Sequence, residues 1–312
     1  MDYNNTNTNM TTSSGLTPGM QTYYNRELLE IIEPLLVHLQ FGREYRFPIN
    51  SGMVMQIRKP LPVETKTTPL VEGDPGVGSM IAEVAITMSM EQYGDHGKFT
   101  DKLDMAHLDM NILNRVKMYA DAGARSIDAV VRDELATCTN VIYAGGKTSR
   151  GALTSADKLT TDLLLDAVKI LKKSKARRFG SDYVAIIGPD VWRQLWDDDR
   201  VTKLTEYQDK ESIYKGEIGR LSGIRLVEST EAKIFEGAGA SGVDVASVII
   251  LGQDAYAYTS WKGATPRVIV KPAGSAGTAD PLDQISSIGW KMDGFGVKLL
   301  QPEYAVRIEC GI

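Results

Sequence analysis

Two runs with strand-like alternation, "MVMQIRK" (residues 53–59) and "VAITMSME" (84–91), are joined by "PLPVETKTTPLVEGDPGVGSM", about twenty residues dense in Pro, Gly, Thr and charge. Met53, Met55 and Ile57 alternate with Val54, Gln56 and Arg58, as Val84, Ile86, Met88 and Met90 do with Ala85, Thr87, Ser89 and Glu91. That period of two predicts a pair of strands. A structureless connection of this length is uncommon inside a compact domain. If residues 53–90 form one hairpin, each leg of about 19 residues can reach roughly 60 Å. A compact domain of this chain length has a radius of gyration of only about 20 Å. Such a hairpin projects beyond its own domain and needs a neighbour to lie on. A disordered surface loop is the alternative reading of the same residues.

The rest of the chain divides by pattern. Residues 1–20 are rich in Asn, Thr and Ser and read as a mobile arm. Leu28, Ile31, Ile32, Leu35 and Leu36 then show helical spacing that Pro34 interrupts, predicting a helix to about Glu33. Leu103, Ala106, Met110, Leu113, Ala120, Ala124, Ile127, Val131 and Leu135 recur at three- and four-residue steps without a proline, predicting one long spine helix over 103–137. "TTDLLLDAVKILKKSK" reads as a helix capped at Thr160 or Thr161, with Asp162 in its first turn and lysines in its last. "DYVAIIGPDVWRQLWDDD" reads as a buried strand, a Gly-Pro turn and a short helix. The C-terminal third carries seven strand-like runs: "IRLVES", "VASVIILG", "AYAYTSW", "RVIVKP", "ISSIGWKM", "GVKLL" and "YAVRIEC". "EGAGASG" and "PAGSAGTADP" punctuate them. Helices early and strands late make the class α+β.

Composition narrows the function. The 312 residues are 43% hydrophobic and 24% charged, enough for one large core or two modest ones. The formal charge of -5 gives no basic surplus for tight nucleic-acid binding. Cys138 and Cys310 lie far apart in no ligand spacing, which argues against a disulfide framework or structural zinc and fits a reducing compartment. The N-terminal stretch lacks the basic and apolar segments of a signal peptide, and no run approaches the roughly 18 apolar residues of a membrane span. These features lead us to expect a soluble protein made in the cytoplasm.

Four constellations bear on chemistry. Gly216, Gly219 and Gly223 in "KGEIGRLSGIRLVES" could cradle a phosphate, but they match neither the dinucleotide fingerprint nor the phosphate loop. Both of those motifs place a strand before the glycines and a helix after them, the reverse of the order here. Turn geometry is the better account. Asp95, His96, Asp101, Asp104, His107 and Asp109 could hold a metal if Asp104 and His107 share a helix face. A solvated helix start with acidic residues near the positive end of its dipole is favoured. Asp197, Asp198 and Asp199 could likewise take a cation, although an acidic turn after a helix suffices. Nucleophilic catalysis has no recognisable motif, and Trp192, Trp196, Trp261 and Trp290 are not interleaved with basic residues as stacking platforms would be. No catalytic residue, cofactor or metal is expected.

The order of parts resembles the major capsid proteins of tailed bacteriophages, in particular their N-four-like branch. The segments that carry the likeness are "PLVEGDPGVGS", "EQYGDHGKFTDKLD", "DYVAIIGPDVWRQL", "GEIGRLSGIRLVES" and "DPLDQISSIGWKMDGFGVKLLQPEYAVRIE", spread from Thr22 to Ile308. Each is weak alone; their order and spacing are specific. The resemblance implies the Hong Kong 97-type capsid fold, with an N-terminal arm over 1–50 and an extended loop over 51–98. It places a peripheral domain including the spine helix over 99–230, an axial domain over 231–295, and a C-terminal strand over 296–312 that returns to the peripheral domain.

By the same resemblance, Lys59, Pro62, Lys66, Pro69, Glu72, Asp74 and Pro75 of the extended loop would contact neighbouring subunits, while Gly216, Gly219 and Gly223 would be structural turns. The implied role is non-enzymatic: copies join as hexamers and pentamers into an icosahedral head around double-stranded DNA, without sequence-specific binding and without a membrane. Scaffolding, portal and decoration proteins would be further partners. Some capsids of this fold crosslink through lysine and asparagine, but no local motif around Lys59 or Lys66 supports that chemistry here. An encapsulin-like shell is the nearest alternative, and a soluble enzyme binding a phosphorylated ligand a more distant one.

Overall fold

The computed structural model describes residues 37–48, 52–69, 72–73, 78–106, 112–198, 201, 219–221, 223–261, 266–275 and 280–312. The expected N-terminal arm up to residue 36, with its helix, lies outside them, as do Asp74, Pro75, His107, Asp109, Asp199 and Gly216.

Three hydrogen-bonded units form. The first is a seven-stranded sheet of order β5-β14-β10-β6-β8-β7, with β9 also on β10. Its strands are β5 (Val141–Tyr143), β6 (Tyr183–Ile187), β7 (Arg220–Leu221), β8 (Ile224–Glu228), β9 (Ile234–Phe235), β10 (Val245–Leu251) and β14 (Ala305–Gly311). Every residue of β6, β10 and β14 is buried. That explains why "YVAII" and "VASVIIL" read as continuous apolar runs rather than as alternation. Successive side chains of β10 still serve opposite faces. Val248 and Ile250 join the core containing Leu164, Ala167, Val168 and Leu171 of helix α3 (Thr161–Lys173), while Ile249 and Leu251 join the core containing Ile127, Val131 and Leu135 of helix α2 (Ile112–Leu135).

The second unit is a five-stranded sheet built on β13 (Ile285–Leu299). β11 (Tyr256–Ser260) pairs with residues 295–299 of β13 and carries β1 (Arg43–Arg46) in parallel on its far side. β12 (Arg267–Lys271) and β4 (Glu91–Thr100) flank the other half of β13, one on each side. The register shifts between Met292 and Phe295, where Gly294 takes φ +92°. A bulge at a residue free to adopt positive φ lets "ISSIGWKM" and "GVKLL" run on as one 15-residue strand. Helix α2, about 36 Å long at 1.5 Å per residue, packs on one face of this sheet. Gly123 makes that approach close, since a Cβ there would stand 2.9 Å from the Trp290 ring.

The third unit is the hairpin of β2 (Val54–Pro60) and β3 (Glu83–Ser89), in register from Val54↔Ser89 to Pro60↔Glu83.

Several expectations need correction. The described parts of the spine are α1 (Asp101–Ala106) and α2; residues 107–111, on which the single helix over 103–137 depends, lie outside the described residues. Asp95 and His96 lie in strand β4, not at a helix start, because Gln92, Gly94, His96 and Lys98 alternate with Tyr93 and Phe99. Among the described residues the hairpin is paired over seven residues a side, and 70–71 and 74–77 of its connection lie outside them. The boundary drawn at 98/99 cuts β4, and that at 295/296 cuts β13. The one at 230/231 separates β8 from β9 and β10 of the same sheet. Gly- and Pro-rich stretches mark where a chain turns, not which sheet the next strand joins. Helix α4 (Pro189–Trp196) follows β6 through Gly188 with Pro at its first position, as the sequence implies.

Candidate inter-subunit surface

The hairpin is anchored at its root and bare beyond it. Met55, Ile57, Ile86 and Met88 share one face and pack with Tyr45, Ala257 and Leu300. Gly296 of β13 lets the root sit close, because a Cβ there would meet the Ser89 carbonyl oxygen at 2.5 Å and the Met88 side chain at 3.2 Å. Past the root the ladder closes with the Leu61 amide donating to the Ala82 carbonyl at 2.9 Å. From Pro60 to Ala85 every described residue is exposed.

These residues are not uniformly polar. Seven of the fifteen large apolar side chains exposed among the described residues lie between 53 and 84: Met53, Val54, Leu61, Val63, Met80, Ile81 and Val84. Met80 is 93% exposed and Ile81 76%. Covering one such side chain stabilises by about 1.5–3 kcal/mol, so the set could supply on the order of 10 kcal/mol before the cost of ordering. A concentration of apolar surface on a projecting element marks an interaction site.

Of the contact residues read from sequence, Pro62, Lys66, Pro69 and Glu72 are exposed on this element, and Asp74 and Pro75 lie outside the described residues. Lys59 differs. It is half-buried at the root and its ammonium stands 3.3 Å from Glu303 of its own chain, a weak and solvent-screened pair. Sequence reasoning passed over Met80, Ile81, Val63 and Leu61. Their signal was available: apolar residues inside a Pro- and Gly-rich connection that has no core of its own.

Of the three glycines, Gly219 and Gly223 lie among the described residues. Gly223, at φ +79°, sits in the turn between β7 and β8, where Leu221 pairs with Ile224. Its carbonyl accepts from the Tyr183 amide at 3.0 Å. The Gly219 carbonyl accepts from Leu226 at 3.3 Å. A strand follows these glycines, so the positive end of a helix that would receive a phosphate is not there. The acidic turn is likewise occupied. Asp198 accepts from both the amide and the hydroxyl of Thr161 at 2.7 Å each, capping α3 from outside where Thr160 makes no side-chain cap. Asp197 accepts from Arg193 and Lys158. Among the described residues no group of three or more His, Cys, Asp or Glu is placed to hold a metal ion. Nor is any described helix long and apolar enough to cross a membrane.

Buried polar contacts fix the platform that bears the hairpin. His38 Nδ1 lies 2.7 Å from Asp128 of α2, whose other oxygen accepts from the Leu39 amide at 3.1 Å. Tyr256 of β11 donates its hydroxyl to the His38 carbonyl, and burial, with Asp128 nearby, raises its pKa. These bonds tie residues 38–39 to both the helix and the sheet. In β14, the fully buried Glu309 accepts two bonds from Arg150, at 2.7 and 2.8 Å, and lies 2.8 Å from Arg307. The hydrogen bonds to Glu309 raise the Arg150 pKa. Cys138 and Cys310 are buried free thiols; burial pushes Cys138 up and Cys310 up to about 12, which leaves both unreactive.

A two-sheet body with a helix across one sheet and a hairpin projecting from it is an architecture shared with known proteins. Residues 83–308, well over half of the chain, match the family described as phage capsid protein, and the chain belongs to that family. Its function is that of a phage capsid protein, and its fold is the Hong Kong 97 type. The capsid of the cyanophage P-SCSP1u is similar at a TM-score of 0.71 and 16% identity, covering 93% of this chain and 92% of that one. The Mycobacterium phage Che8 structure gives 0.67 at 17%, covering 92% and 96%. The capsid asymmetric unit of cyanophage Pam1 gives 0.70 at 12%, covering 96% and 99%. No curated protein matches by sequence. Neither the encapsulin nor the phosphate-binding alternative finds support in these likenesses.

Proposed function

We propose that this chain works by joining copies of itself, as hexamers and pentamers, into the icosahedral head that encloses a phage's double-stranded DNA. The observation that carries the reading is the exposed apolar surface of Met53, Val54, Leu61, Val63, Met80, Ile81 and Val84, which the described fold leaves uncovered. Rotational head-to-tail contacts of a projecting arm generate rings, and rings of suitable curvature close into a shell. Interfaces on the obligate scale bury roughly 2,000 Å² or more, within reach of an extended hairpin laid across a neighbour. The role is structural rather than catalytic, its place is the virion, and assembly takes place in the host cytoplasm. The genome is enclosed without sequence-specific contact. Scaffolding, portal and decoration proteins are the further partners such a head would take.

The resemblance ties the spine helix to the peripheral domain. α2 runs along β13, β12 and β4 and also shares a core with Ile249 and Leu251 of β10. Because it lies along the five-stranded sheet, we assign that sheet to the peripheral position and the seven-stranded sheet to the axial one, which departs from the expected peripheral placement of 141–230 and of the C-terminal strand. Lys66, Glu72, Pro62 and Pro69 are assigned to contacts with the neighbour. The test is size-exclusion chromatography with electron microscopy of the full chain. Megadalton shells are expected; a stable monomer or dimer would overturn the reading.

A further inference from the structure

A cleft of about 470 Å³ opens where the hairpin root meets the body, within the roughly 300–1,000 Å³ of small-molecule sites. Stretches far apart in sequence line it: Arg43 of β1, Lys59 of β2, Arg177 beyond helix α3 and Asp254 between β10 and β11. Ile57 and Leu300 supply an apolar wall. Lys59 shares its side of β2 with the half-buried Met55 and Ile57 and faces the body, where Glu303 lies 3.3 Å from its ammonium. Arg58, also at the border, belongs to the exposed side of the ladder. A tight helix end delivers Arg177. Lys175 takes φ +57° and the Ala176 amide donates to the Leu171 carbonyl at 2.9 Å, which closes α3. The Arg177 carbonyl then accepts from the Gln253 amide at 2.8 Å, pinning it beside Asp254.

Two carboxylates answer these cations, and both do so weakly. Asp254 stands 3.6 Å from Arg43, whose side chain is 54% exposed, and Glu303 is 58% exposed, so water screens each pair. Arg177 has no ion pair among the described residues. It belongs to "KILKKSKARR" (169–178), six cations without an acid in a chain of net charge -5, and all six are exposed. Such a run raises the local concentration of anions at the mouth of the cleft. Guanidinium forks suit the oxygens of a phosphate, and an ammonium adds a compact point charge. We propose that the cleft binds a phosphate group, and that the bound anion ties the hairpin, through Lys59, to Arg43 and Arg177 of the body. The site belongs to one copy and stands apart from the self-assembly reading. Free phosphate and the backbone of a nucleic acid both present this chemistry.

Calorimetric titration of inorganic phosphate into the full-length chain, at constant ionic strength, tests it. One saturable site per chain is expected. Arg43→Gln with Arg177→Gln is expected to weaken binding about tenfold or more, the size of losing charge-assisted bonds. Lys172→Gln with Lys173→Gln removes the same charge from the same basic run outside the cleft, and is expected to change affinity less than about threefold because solvent screens it. Heats that do not saturate, normal binding by the arginine pair, or equal losses in both pairs overturn the proposal. Should the arginine pair not fold, Lys59→Gln takes its place with the same expected direction. Hydrogen exchange reads the tie: phosphate is expected to slow exchange across the β2–β3 ladder, and bound phosphate that leaves the ladder unchanged overturns it. A short DNA duplex added as competitor separates the two sources. Displacement of phosphate keeps the site and assigns it to a nucleic-acid backbone; failure to displace keeps it and assigns it to free phosphate.

Discussion

Glu309 is a carboxylate with no access to water, held between two guanidinium groups. Removing one partner of a buried ion pair leaves the others charged and unanswered, which is costlier than the pair is worth. Glu309→Ala is therefore expected to destabilise the subunit by about 3 kcal/mol or more, read as a lower urea midpoint with an unchanged slope. A carboxylate nearer the surface acts through pH instead. The amide and hydroxyl of Thr154 both donate to Asp157 at 2.8 Å and hold its carboxyl below the usual range. A depressed carboxyl adds stability that is present above its unfolded pKa and fades as pH falls through the folded one. Asp157→Asn is thus expected to flatten the fall in melting temperature below about pH 4, with little change at neutral pH. An equal loss at every pH would contradict this sign.

For the elements, burial separates what folds the subunit from what assembles it. Replacing residues 62–79 by a short Gly-Ser turn removes only exposed side chains among those described. The unassembled subunit is expected to keep its melting temperature within a few degrees, while particle formation is lost. Loss of both would mean that the tip helps fold its own chain. Strands β2, β3, β6, β8 and β10 to β14 were legible because each has either alternation or a dense apolar run. β4 was not, since "EQYGDHGKFT" has no apolar residue but Tyr93 and Phe99 on its covered face, and its acids suggested a helix start. The two-residue strands β7 and β9 are too short for any periodicity. At the candidate surface, the Pro, Lys and acidic residues drew notice as loop chemistry. The apolar anchors around them became visible only once their exposure was known.

For the whole molecule, topology escaped a linear reading. The seven-stranded sheet gathers residues 141–251 and 305–311, and the five-stranded sheet gathers 43–46, 91–100 and 256–299. Each is discontinuous in sequence, so the boundaries implied by the resemblance cross sheets and strands, although most of the helices and strands between them are found where the periodicity placed them. The inference from one connection too long for a compact domain remains the central proposal: its described residues are exposed in a single copy, and a neighbour is proposed to cover them. Hydrogen exchange compared between unassembled subunits and intact particles tests that claim most directly. The account expects amides of residues 63–68 and 78–81 to exchange rapidly in the subunit and to gain strong protection in the particle, with the cores around β10 and β13 little changed. Equal exchange of those residues in both states would contradict it.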